Sequence, residues 1–132
     1  DRYGQTVLIG IRVPFGSGPR YDARIATAQA EAIEVQSQLT LERDRIQADQ
    51  RGAASRVEAA RTQLDAAQRR ARLARESRGF FDKSFRLGET DLPTRLRIEA
   101  EAVEAERQEA RSRIDLASAI SAWRQSLGLL PQ

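Results

Sequence analysis

Phe85-Arg86-Leu87-Gly88-Glu89-Thr90-Asp91-Leu92-Pro93 separates two stretches that both carry a helical pattern, so its reading decides the fold. Gly88 suits the C′ position, where a helix ends in a left-handed residue. Asp91 suits the N-cap of the next helix, and Pro93 falls in that helix's first turn, where a missing N–H costs no hydrogen bond. The stretch therefore predicts a tight turn between two helices.

Upstream, Ile25, Ala32, Leu39, Ile46, Ala53, Ala60, Ala67, Ala74 and Phe81 recur at intervals of seven, and all are apolar. The companion seam shifts along the chain. Ala28 and Val35 sit three after members of the first series, whereas Val57, Leu64, Ala71 and Phe85 sit four after. The shift places a change of packing partner near Asp49 to Gly52. From about Tyr21 to Leu87 no proline interrupts the pattern, and Gly52 and Gly79 each cost only roughly 1 kcal/mol against Ala. The expectation is one helix of some 65 residues, on the order of 100 Å at about 1.5 Å per residue, held by lateral packing.

Downstream, a second helix is expected from Leu92 to about Leu127, closed by Gly128 and Pro131. Its early apolar positions are read as Leu96, Ala100, Val103, Ala110, Ile114 and Ala117, and its later stripe as Leu116, Ile120, Trp123 and Leu127, with Trp123 a packing anchor. Folding back from Leu92, it covers the first helix only to about residue 52. Beyond that point another segment has to provide the cover.

The first residues differ in kind. Val7, Ile9, Ile11 and Val13 alternate with Thr6, Leu8, Gly10 and Arg12, a period of two that marks a strand over Gln5 to Phe15. Tyr3 and Phe15 flank it, and its length suits the roughly 9 to 11 residues of a tilted strand crossing a bilayer. An ordinary strand on a soluble core fits the same pattern. Phe15-Gly16-Ser17-Gly18-Pro19-Arg20 then breaks the chain before the long helix.

Composition limits the chemistry. Among 132 residues 40% are hydrophobic but only 5% aromatic, and much of the apolar count is Ala, so an elongated chain is expected in place of a thick core. The 22 basic residues, of which Lys83 is the only Lys, are scattered among 19 carboxylates, a balance that selects no partner. With no Cys and no His, neither a disulfide framework, a thiol or imidazole nucleophile pair, nor the usual zinc and haem ligand sets can be built. Gly16-Ser17-Gly18 lacks the third Gly of a dinucleotide loop, and Glu99/Glu101 and Glu104/Glu106 are two apart, on different helix faces. No enzymatic activity, no cofactor and no metal site is expected. No run of about 18 apolar residues occurs, so no membrane-spanning helix is expected, and a β-barrel route stays open.

Arg69, Arg70, Arg72, Arg75 and Arg78 form the best nucleic-acid candidate. A basic region of the zipper type precedes its heptads, whereas these arginines follow them, and the chain has no Asn to read adenine. Asp65 four before Arg69 and Arg72 four before Glu76 favour a solvated face with ion pairs, and no nucleic-acid partner is expected.

The succession Val7-Leu8-Ile9-Gly10-Ile11-Arg12-Val13-Pro14-Phe15, a glycine-containing break, a heptad helix, the Phe85 to Pro93 turn and a closing Ser126-Leu127-Gly128 resembles the second structural repeat of TolC-type outer-membrane factors. The wording from Leu87 to Pro93 looks most like the heavy-metal efflux branch. The resemblance spans essentially the whole chain and rests on order and spacing, not on one motif. It implies a mainly α fold: a long antiparallel coiled-coil hairpin preceded by one transmembrane β-strand, part of a β-barrel joined to an α-helical duct. Residues 1–19 would be the outer-membrane strand and connecting loop, with Val7, Ile9, Ile11 and Val13 facing lipid. Residues 20–132 would be the periplasmic hairpin.

The function implied is the exit duct of a tripartite efflux pump, at the bacterial outer membrane with a periplasmic extension. The partners implied are two further protomers in a homotrimer, outer-membrane lipid, an inner-membrane pump and a periplasmic adaptor. The adaptor would dock on the tip formed by Phe85, Arg86, Leu87, Gly88, Glu89, Thr90, Asp91, Leu92 and Pro93. A whole subunit of that family has two such repeats, so this chain is expected to be one part of it. A coiled-coil interaction module, either an adaptor's own hairpin or a scaffold, is the alternative that the helices alone allow.

Overall fold

The computed structural model describes residues 9–10 and 18–129, and among them the fold is two helices. Helix α1 runs Pro19–Arg86 over 68 residues and α2 runs Leu92–Ser126 over 35. Both match the expected spans to within two residues. Gly18 caps α1, its carbonyl accepting from Tyr21 N at 2.9 Å and Asp22 N at 3.1 Å, with Pro19 opening the helix and Asp22 in its positive first turn.

Of the strand expected over residues 5–15, only Ile9 and Gly10 are described, and neither lies in a strand. Val7, Ile11 and Val13 lie outside the described residues. No strand occurs among the described residues, and no helix among them is long and apolar enough to cross a membrane.

The chain divides into two units, Asp1–Glu42 and Arg43–Gln132. In the first, the described part of α1 is a helix exposed at almost every position, Ile25, Ile33, Val35, Leu39 and Leu41 included. The second unit is an antiparallel hairpin. Its seam is made of Ala53, Val57 and Ala71 from α1 and Ile98, Ala102 and Ala105 from α2, all buried. Small side chains at a seam let two helices approach closely, so the Ala-rich composition that cannot build a thick core does build a thin one. The pairing runs back from the turn to Gln50, whose side-chain amide donates to Ser126 O at 3.2 Å. This is the limit that the seam change near Asp49 to Gly52 predicts.

The register of α2 differs from expectation. Leu96, Ala100, Val103, Ala110, Ile114 and Ala117 are exposed. The residues turned toward α1 are Ile98, Ala102, Ala105 and Glu109, followed by the half-buried Leu116, Ile120 and Trp123. Three of the four residues of the later stripe are as read, Leu127 being exposed at 43%, and Trp123 lines one cavity with Ala54, Val57 and Glu58 near the end of the seam. The early stripe is on the far side of the helix. Bulk misled the reading: α2 carries two apolar stripes, and the one with larger side chains is the one α1 does not touch.

Arg70, Arg75 and Arg78 of the basic run have a structural explanation. An antiparallel register sets the arginines of 69–78 beside the acidic stretch 99–109 of α2. Arg75 reaches Glu109 at 3.3 Å and Glu106 at 3.9 Å, while Arg78 reaches Glu106 at 3.4 Å and Glu99 at 3.6 Å. Arg70 donates to Gln108 at 2.9 Å. The pairs Asp65–Arg69 and Arg72–Glu76, expected within α1, do not form among the described residues. Exposed pairs of this kind are worth about 1 kcal/mol or less each. Glu109 is the exception. Its carboxylate is buried in the alanine seam and held by Arg75 and Arg113, so it penalises any register that separates it from those two.

Candidate functional site

The turn that joins the helices is closed by its own backbone. Gly88 adopts φ +76°, Gly88 N donates to Phe85 O at 3.0 Å and Glu89 N donates to Ser84 O at 2.9 Å. These two bonds form a Schellman motif, which requires the left-handed residue and satisfies two carbonyls that the end of α1 would leave orphaned. The same pair of bonds recurs at the end of α2, where Gly128 has φ +75° and Leu129 N reaches Arg124 O.

Asp91 is the N-cap of α2, its side chain accepting from Thr94 N at 3.2 Å. Interaction with the Thr94 side chain, and next with its N–H, holds the Asp91 carboxyl below its ordinary pKa. A carboxyl whose pKa is depressed by folding adds stability at pH above its unfolded value, and that contribution is lost as pH falls through the folded value. Asp91→Asn is therefore expected to remove the part of the acid sensitivity of hairpin melting that lies below the ordinary aspartate range, while keeping a capping side chain. Melting curves of the two proteins collected from neutral pH into that range check this.

Three further contacts brace the tip. Ser84 Oγ and Thr90 Oγ1 are 2.7 Å apart, one donating to the other across the turn. Asp82 accepts from Arg95 at 2.8 Å and from Arg86 at 2.9 Å, so one carboxylate ties the two helices together. The Arg95 guanidinium also lies over the Phe85 ring, 4.8 Å from its centroid. Asp82, Ser84, Thr90 and Arg95 were not marked by motif or period, apart from Thr90's place in the turn. Their pairing depends on which residues the turn sets opposite each other.

The nine residues from Phe85 to Pro93 thus divide into two groups. Phe85, Thr90 and Asp91 hold the turn, and Pro93 opens α2. Leu87, Glu89 and Leu92 are exposed, and Glu89 makes no ion pair among the described residues. Gly88 is exposed, with nothing within 4 Å of where a Cβ would be. Arg86 is exposed but engaged with Asp82.

Each helix of the hairpin also carries a second apolar stripe away from the seam. On α1 it is Ala59, Ala66, Leu73 and Phe80, continued by Leu87 in the turn, a heptad series whose members are all exposed, Phe80 at 68%. On α2 it is the stripe of Leu96, Val103, Ala110 and Ile114, with Leu96 58% and Val103 53% exposed. At about 100° per residue this stripe lies roughly 135° around α2 from the seam, on a side turned away from α1. The α1 series was legible as a second interval of seven running beside the first.

Comparison with family models, with characterised proteins and with solved structures finds no match for this chain.

Proposed function

We propose that the hairpin is a wall element of an outer-membrane efflux duct and that its turn is the tip on which a periplasmic adaptor docks. The observation that carries this reading is the second apolar stripe on each helix. A hairpin that finished its packing alone would need one stripe per helix, as in a two-stranded coiled coil. A helix whose two stripes lie on well-separated sides has room for a neighbour at each, which is the arrangement of a wall. Repeating such a wall around a closed ring leaves no stripe in water, in keeping with the homotrimer that the resemblance to TolC-type factors implies.

The remainder of the proposal rests on the sequence. The alternation over residues 5–15, with Val7, Ile9, Ile11 and Val13 toward lipid, gives the strand of the barrel. The inner-membrane pump and the location at the outer membrane follow from the resemblance alone. As an exit duct the protein performs no chemistry on its cargo, and selection of the cargo belongs to the pump.

At the tip, Leu87 and Leu92 provide apolar knobs, Gly88 admits a close backbone, and Glu89 offers a charge that is free to set register with the adaptor. Glu89→Arg is the clean probe. Arg86→Glu would place a second carboxylate against Asp82 and disturb the brace to Arg95, confounding docking with folding. In the natural protein Glu89→Arg is expected to leave helicity and trimer assembly intact while weakening adaptor binding at least about tenfold, or roughly 1.4 kcal/mol. Cross-linking to the adaptor and export of cargo measure it. Unchanged cross-linking and export would reduce the tip to a turn.

A further inference from the structure

We infer that the exposed N-terminal part of α1 is a self-complementary interface, through which two copies of this chain pair antiparallel about a two-fold axis beside Ser37. The surface is the stripe Ile25, Ala28, Ala32, Val35, Leu39 and Ile46, exposed throughout, with Val35 55% and Leu39 57% accessible. It lies upstream of Gln50, where α2 ends its pairing with α1.

Ile25, Ala32, Leu39 and Ile46 occupy one seam position of the heptad, and Ala28, Val35, Glu42 and Asp49 the other. Two acidic residues at seam positions decide the orientation. A parallel pair sets Glu42 against Glu42 and Asp49 against Asp49 of the second copy, like charges facing each other in the seam. An antiparallel pair centred on residue 37 opposes the two positions instead. Val35 then meets Leu39, Ala28 meets Ile46, Glu42 lies over the small Ala32, and Asp49 meets Ile25 at the ends. Flanking charges agree with that register. Glu31 falls opposite Arg45 of the second copy, twice by symmetry, and Gln38 meets its own counterpart at the axis. Neither Glu31 nor Arg45 forms an ion pair among the described residues. In the parallel arrangement Glu31 would face the neutral Gln36. The apolar layers drive the association, and the acidic seam residues and the Glu31–Arg45 pairs select its direction.

This inference concerns the 132-residue chain by itself and does not rest on the duct reading. The full chain is examined by sedimentation equilibrium, with circular dichroism to follow folding. A dimer is expected. Leu39→Glu is expected to weaken it more than about tenfold with helicity of the hairpin retained, whereas Leu41→Glu, outside the seam, leaves it unchanged. Glu31→Arg and Arg45→Glu each weaken the dimer, and the two together restore it.

Because the chain has no cysteine, single replacements report direction. Gln38→Cys is expected to give a disulfide-linked dimer on mild oxidation, and Ala28→Cys to give none. A chain that stays monomeric over the concentration range leaves this stripe for another occupant and overturns the inference. Preferential cross-linking of Ala28→Cys, or equal loss of the dimer in Leu39→Glu and Leu41→Glu, overturns the register. None of these outcomes bears on the tip, so failure here and failure of the docking proposal are separable.

Discussion

If the hairpin is a wall element as proposed, Phe80→Glu and Val103→Glu are each expected to abolish assembly of the natural protein into an oligomer while leaving the hairpin folded. Both side chains are large, apolar and exposed on the sides of α1 and α2 that the hairpin does not use. If neighbouring helices cover them, a carboxylate there is buried without a partner. The cost is then several kcal/mol at each copy of the interface, repeated around the ring. In the hairpin alone the same carboxylate meets water, where a surface substitution changes stability by about 0.5 kcal/mol or less. The expected pattern is a melting temperature within a few degrees of the parent for the isolated chain, and loss of the oligomer band for the natural protein.

Ala102→Leu is expected to do the opposite. Ala102 is fully buried in the seam, and Ala71 on the facing helix is equally buried. No space remains there for three more carbons, so the helices must move apart or the new side chain must leave its rotamer, at about 1 to 3 kcal/mol. A hairpin whose seam consists largely of alanines has little other burial to absorb the loss. Thermal unfolding followed by circular dichroism is expected to show a lower and broader transition. An unchanged transition would mean that α1 and α2 are not in close contact at this level.

These two effects separate the parts of the fold that the sequence made legible from those it did not. The turn was legible because its chemistry is local: Gly88 and Asp91 act on backbone groups a few residues away, and their roles follow from residue type alone. The extent of pairing was legible because it follows from counting. A returning helix of 35 residues reaches Gln50, and the companion seam changes at the same place.

The face of α2 was not legible. Hydrophobicity ranks Leu96, Val103 and Ile114 above Ala102 and Ala105, whereas close packing against an alanine-rich partner selects the smaller residues. The carboxylate of Glu109 at the centre of that face opposed the correct choice as well, until Arg75 and Arg113 were placed beside it. The arginine run had the same ambiguity. Read along one helix it pairs with its own neighbours, and only the antiparallel register gives it the acids of α2. At the tip, the brace of Asp82 to Arg86 and Arg95 decides which charge is free for a partner. That information is tertiary, and it leaves Glu89, and not Arg86, as the charge whose reversal spares the brace.

If this hairpin is a wall element covered on both sides, its outer stripes are shielded from water in the oligomer, and the absence of cysteine from these 132 residues lets single cysteines report on that directly. Cysteines placed singly at Phe80 and Val103 of the natural protein are labelled with a water-soluble maleimide, in the assembled oligomer and after its dissociation. Both positions are expected to be protected in the oligomer and rapidly labelled once it is dissociated, with Ala102→Cys protected in either state so long as the hairpin holds. Rapid labelling at Phe80 and Val103 in the intact oligomer would contradict it, because the outer stripes would then face water and the hairpin would not be part of a wall.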